Sequence, residues 1–242
     1  ERPRTITMSS QAALEFICSL ELDESLTPDS SQGKVVAGSL ASFTHNLSGQ
    51  QLEDVQNSTL FAQLAATKKY PKKEQATDWY EFYGYVLGKL GWILQGFSFD
   101  EYKSSADSFK LSEVTLELLS AMIGEDKQLV SVVKDTLDSL KKSPEGLTLF
   151  NKNSTSSNNG RFQILPCTVT NGQVSLAFIG AYFKANKVSS DYFFFSYNFQ
   201  EIQLHKSTQV FTLNEDVYMQ VRQGVINRLG KRAKDFVHNL DI

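Results

Sequence analysis

Two rhythms divide the chain. From Ser48 to about Leu140 apolar residues return every three or four positions, the spacing that gathers them on one face of a helix. From Arg161 to Leu213 they tend to alternate, as in strands. Ser48 followed by Gln51 makes a capping box, and Leu47 with Leu52 the matching hydrophobic staple, so a helix is expected from about Gly49 to Lys68. A second should run from about Glu74 to Leu90, with Trp79, Phe82, Tyr83, Val86, Leu87 and Leu90 as its apolar face. Gly84 and Gly88 sit one turn apart on it. Each costs about 1 kcal/mol relative to alanine, so a neighbouring helix or a ligand's chain should approach the backbone there. Two more helices carry the stripes Val114, Leu118, Met122 and Leu129, Val133, Leu137, Leu140, the first closing on Gly124 and the second stopping before Ser143-Pro144-Glu145-Gly146. Asn151 to Gly160 reads as a polar loop. Near the start, Ala12 to Leu22 suits a short helix, broken at Thr27-Pro28-Asp29-Ser30-Ser31.

The strand region opens with Arg161 to Thr170. Asn171-Gly172 predicts a type I′ hairpin turn, and a two-residue loop sets Thr170 opposite Gln173. Counting back, Val169 faces Val174, Cys167 faces Leu176 and Leu165 faces Phe178, six residues on one apolar side. Phe162, Ile164, Ala177 and Ile179 occupy the other side, so both should be covered. Pro166 has no N–H to give the ladder and belongs at an edge or a bulge, opening the sheet beside Cys167. A third strand is expected over Tyr192 to Phe199, with Phe193, Phe195, Tyr197 and Phe199 on one face, and a kink near Gln200. A fourth, Thr208 to Leu213, precedes Asn214, an N-cap with Glu215 and Asp216 in the first turn of a final helix striped by Val217, Val221, Val225 and Leu229. The fold class is α+β, sandwich-like. A helical N-terminal half packs on a mainly antiparallel C-terminal sheet, closing with a C-terminal helix, in one domain over residues 1–242.

Composition narrows the chemistry. The 17 Phe, 9 Tyr and 2 Trp give a core of ring-sized pieces, either tightly packed or surrounding a lipophilic ligand. A net charge of −3 with no basic stripe argues against nucleic acid as a partner. The stretch from Tyr80 to Phe97 holds Glu81, Lys89, Gln95 and, before Trp92, three glycines, and reads as a buried helix rather than a membrane span. The chain opens on Glu1 rather than Met, so a preceding piece is expected to be missing, and no signal-peptide core is visible. Hydrolase, nucleotide and zinc-protease signatures are absent, and Cys18 and Cys167 form no CxxC pair, so neither metal nor nucleotide is expected.

That leaves Cys167. Buried cysteine commonly serves as a small hydrophobe. An apolar surround makes a thiol inert toward soluble electrophiles, while the same surround suits a fatty acyl group brought beside the sulfur by its own chain. A Cys167–His205 dyad is the third option.

The run YEFYGYVLGKLGWILQGFSFDEYKSSADSFKLSEVTLELLSAMIG and the segment FQILPCTVTNGQVSLAFIGAYF resemble the Evf virulence factor family of plant-pathogenic enterobacteria, from about Trp79 onward. The resemblance implies a non-enzymatic factor that promotes persistence in an insect gut. It also implies palmitate held as a thioester in a hydrophobic interior, with Cys167 at the matching position. Leu165, Val169, Val174, Leu176 and Phe178, with Gly84 and Gly88, are then the expected lipid pocket. The implied partners are a fatty acid or acyl thioester, a membrane surface reached through the lipid, and a host gut factor. The implied place is the bacterial cytoplasm or beyond it by export. The alternative is an acyltransferase or thioesterase with a transient acyl group on Cys167.

Overall fold

In the computed structural model, which describes residues 10–20, 35–104, 106–124 and 127–240, a mixed sheet lies between two layers of helices. α1 (Ser10–Ser19) falls in the stretch read as a short helix, and the breaker expected at Thr27 to Ser31 lies outside the described residues. β1 (Val35–Val36) and β2 (Ser39–Phe43) pair across Ala37 and Gly38, Ala37 holding φ 51°. α2 (Gly49–Lys69) starts on the capping box: Gln51 N donates to Ser48 Oγ at 3.2 Å, and Ser48 N to Gln51 Oε1 at 3.0 Å. One 3-10 turn leads into α3 (Ala76–Lys89), which gives way at Gly91, φ 97°, to β3 (Trp92–Ile93). β4 (Asp100–Glu101) and β5 (Ser108–Lys110) precede α4 (Leu111–Ile123), which closes on Gly124 at φ 62°, and α5 (Lys127–Lys142).

The polar loop expected next begins as a helix, α6 (Pro144–Ser154). Its signals are local. Ser143 Oγ accepts from Gly146 N at 3.1 Å, Pro144 stands where a missing N–H costs nothing, and Glu145 meets the positive end of the dipole. Leu149 and Phe150 then bury it. β6 (Thr155–Ser156) turns tightly into β7 (Asn159–Thr170), which pairs with β8 (Gln173–Ala185) in the counted register. Asn171 and Gly172 both take positive φ, 51° and 78°, as a type I′ turn needs. Leu165 and Pro166 drop out of the ladder with β8, which resumes at Ile164–Ile179 with no residue inserted. Pro166 is therefore neither at an edge nor in a bulge. It sits in a central strand opposite Ser42, and only the local opening is as expected.

The aromatic run departs further. Phe194 N and Phe195 N both donate to Asp191 O, at 2.8 and 3.0 Å, so residues 191–195 coil, and only β9 (Ser196–Asn198) is extended, pairing with β5. A strand would have sent Tyr192 and Phe193 to opposite sides. The turn lets both pack inward, Tyr192 stacked on Phe150 and Phe193 edge-on to Phe162. β10 (Ile202–Leu213) is one strand rather than two pieces. Asn214 Oδ1 caps α7 (Glu215–Leu229) through Val217 N at 3.2 Å. The expected closing helix is not the last element: α8 (Arg232–Asp235) leads to β11 (Val237–His238), which pairs with β1.

The sheet order is β11-β1-β2-β7-β8-β10-β3, antiparallel except between β2 and β7. Five short strands therefore come from the half expected to be helical. α1, α2, α3 and α7 share a core with Leu165, Cys167, Val174, Leu176 and Phe178; α4, α5 and α6 share one with Phe162, Ile164, Ala177 and Ile179. Both hairpin faces are covered, as the alternation required. No helix among the described residues is long and apolar enough to cross a membrane.

Two contacts tie the periphery. Arg222 on α7 grips the buried Asp54 on α2 with both ends of its guanidinium, at 2.8 and 2.6 Å. Arg222→Ala leaves that buried carboxylate without its cation, with Gln50 Nε2 still donating to Oδ1 at 3.0 Å, and should cost about 3 kcal/mol in denaturant unfolding; a loss under 0.5 kcal/mol would show the pair to be unimportant. His238 is buried on β11, and its burial lowers its pKa from 6.5 against the opposing pull of Glu145. Its neutral form thus favours the fold. That contribution is full above pH 6.5 and is lost as pH falls through the lower folded value. Thermal melts between pH 7.5 and 5 should show a decline that His238→Gln reduces.

Candidate functional site

The alternation of β7 turns Arg161, Gln163, Leu165 and Cys167 to one side, under α3. Cys167 is fully buried, and its thiol donates to Leu165 O at 3.3 Å. Its carbonyl accepts from Thr44 N at 3.0 Å, which holds the start of the loop after β2 against the strand.

α3 supplies the roof with Trp79, Tyr80 and Tyr83, at the spacing that gives one helix face. The Tyr80 hydroxyl reaches between β7 and β8, donating to Phe162 O at 2.7 Å and accepting from Gln163 Nε2 at 3.0 Å and Ala181 N at 3.1 Å. Gly180 makes this possible: a Cβ there would meet the Phe178 ring at 2.6 Å and the Tyr80 ring at 3.1 Å. Tyr83 stacks on Trp79 at 5.0 Å. Its hydroxyl is buried with no hydrogen-bond partner, and its pKa lies well above 10.0, from burial first and then from Tyr80 and Cys167. Tyr83 and Cys167 belong to the same buried cluster.

Rings fill the remaining space. Phe178 stacks on Phe211 at 4.7 Å, and Phe97 leans on Phe178 at 5.2 Å. Of the expected lipid pocket, Leu165, Val174, Leu176 and Phe178 do surround Cys167, and Val169 is half-buried near the turn. At Gly84 the close approach within the protein is made by its own segment 94–99 rather than by a neighbouring helix: Phe97 and Leu94 would lie 2.7 and 3.2 Å from an added Cβ. At Gly88 nothing lies within 4 Å, and the position is exposed. Three cavities are lined by other residues than Cys167.

His205 does not join the thiol. It stacks on Tyr182 at 4.7 Å, whereas Leu176, the partner of Cys167, faces Phe211 on β10. Six residues of strand separate Phe211 from His205, about 20 Å. A shorter extension of the hairpin count would have found another residue. Arg161 and Gln163 are in phase with Leu165 and Cys167, so a guanidinium was bound to face the interior.

The solved structures similar to this chain include these two. One is that of the Evf virulence factor, 14% identical, with 96% of this chain and 91% of that one covered and a TM-score of 0.40. The other is a delta-endotoxin, 12% identical, covering 78% of this chain and 92% of that one with a TM-score of 0.39. The first carries the name to which the sequence resemblance points. No family model and no curated protein matches the chain.

The two thiols should behave oppositely, since Cys18 is exposed and Cys167 buried. On protein whose intact mass is that of the bare chain, a maleimide should modify Cys18 at once and Cys167 only on unfolding. Equal native rates would show that the ring layer does not shield the sulfur.

Proposed function

We propose that this chain is a non-enzymatic bacterial virulence factor that promotes persistence in an insect gut and carries palmitate as a thioester on Cys167. The observation that supports the acyl group is the Tyr83 hydroxyl, buried without a partner in the same cluster of side chains as the thiol. An orphaned donor of this kind costs about 1–3 kcal/mol, and the carbonyl oxygen of an acyl group on Sγ gives it an acceptor. The sequence resemblance supplies the biological setting.

In the acylation step the Cys167 sulfur attacks the carbonyl of an acyl thioester. The new S–C bond forms as the donor's C–S bond breaks, and the donor's sulfur leaves with the thiol proton. One thioester replaces another, so the exchange needs no further reactant. Room for the chain comes from segment 94–99, which lacks regular structure and lays Leu94, Phe97 and Phe99 on the core as partly buried side chains. Lifting two of those rings forfeits roughly 5 kcal/mol of burial, against on the order of 10 kcal/mol from a palmitoyl chain at ~0.8 kcal/mol per CH₂.

Intact-mass measurement on protein from the organism that encodes it tests this. One palmitoyl group is expected, released by neutral hydroxylamine and missing in Cys167→Ser. A bare mass, or an adduct that survives in Cys167→Ser protein, would sink the assignment.

A further inference from the structure

The face of β7 that is dry at Cys167 is polar at its other end. There a cavity of about 240 Å³ is lined by Arg161, Lys73, Lys152, Asn153, Gln63 and Gln163 among others. It is below the range of roughly 300–1,000 Å³ typical of drug-sized ligands, and at about 30 Å³ per water it holds more than a few solvent molecules. Exposed Lys152, Ser156 and Pro71 mark its mouth.

Three basic side chains line it and no carboxylate does. Arg161 is 2% exposed, its guanidinium carbon lies 4.0 Å from the centre of the Trp79 ring, and its Nη1 has no hydrogen-bond partner. Burial pushes its pKa down to about 9, so it remains a cation at neutral pH. Buried guanidinium groups are ordinarily paired. The other polar walls are already engaged: Gln63 bonds Val36 O and Gly38 N, Gln163 bonds Ser39 Oγ and the Tyr80 hydroxyl, and Lys73 bonds Asn153 O. One acceptor is left over. Asn153 donates its amide to Leu149 O at 2.8 Å, which leaves its Oδ1 buried and unpartnered.

We infer that this cavity is a binding site for a small oxyanion that also bears a hydroxyl, of which hydrogen phosphate is the simplest form. The anionic oxygens meet Arg161 and, at the mouth, Lys152, and the hydroxyl donates to Asn153 Oδ1. Planar guanidinium suits such an oxygen pair. This reading is independent of any acyl group on Cys167.

Calorimetric titration of the full chain with inorganic phosphate near neutral pH and constant ionic strength tests it. Saturable binding of one phosphate per chain is expected, several-fold tighter than sulfate, which lacks the hydroxyl. Arg161→Gln should lower affinity tenfold or more. Lys152→Gln, at the exposed mouth, should lower it about threefold in a chain that still folds, which keeps the test valid if Arg161→Gln does not fold. Sedimentation with vesicles of anionic lipid separates a soluble ion from a lipid headgroup: competition by vesicles for the phosphate signal would assign the site to headgroups and overturn the small-ion assignment. No saturable binding, equal affinity for sulfate and phosphate, or undiminished affinity in both variants would overturn it as well.

Discussion

The Tyr80 hydroxyl is the point on which the central layer turns. It enters the sheet at the Phe162–Ala181 pair, where a backbone ladder would ordinarily close without help from a side chain. Gly180 leaves the space, and Gln163 carries the contact onward to Ser39 on β2. One phenol thus joins α3 to β7, β8 and, through a single amide, to β2. Its burial drives its own pKa upward, so the group stays a neutral donor at any physiological pH.

Because α3 is held there, its neighbouring rings have fixed tasks. Trp79 presents one face region to the Arg161 guanidinium and stacks with Tyr83, which continues toward Cys167. The same strand face is therefore cationic and wet at Arg161 and apolar and dry at Cys167, about 20 Å away along β7. Neither end resembles a dyad or triad, since His205 stacks on Tyr182 elsewhere. What the two ends share is a buried polar group without a partner: Arg161 Nη1 at one and the Tyr83 hydroxyl at the other. In a well-packed interior such groups are uncommon.

Local signals proved the readable ones. The capping box at Ser48 and the Asn171-Gly172 turn depend on residues a few positions apart, and both stand as expected. The turn also set the register, and with it the company of Cys167. What stayed hidden was settled at long range. β1, β3, β4 and β11 are two residues each, too short to show a period, and are extended through pairing with other strands: β1 with β2, β3 and β4 with β10, and β11 with β1. The rings at Tyr192 and Phe193 alternate well enough for a strand, yet two inward-facing pockets beside Phe150 and Phe162 favour a turn. Pro166 was placed by a rule for antiparallel edges, but a parallel neighbour, β2, occupies that side. Arg161 was legible by phase alone; its cavity was not, because Lys73, Lys152 and Asn153 come from distant segments.

Equilibrium denaturation of Tyr80→Phe measures the anchor most directly. The ring and its packing remain, while Phe162 O and Gln163 Nε2 lose a buried partner. The account expects a loss of about 2 kcal/mol, from the cost of stranding such groups, with the slope of the transition unchanged. A midpoint equal to that of the unaltered chain would contradict it and would show that α3 is held on the sheet by its apolar face alone.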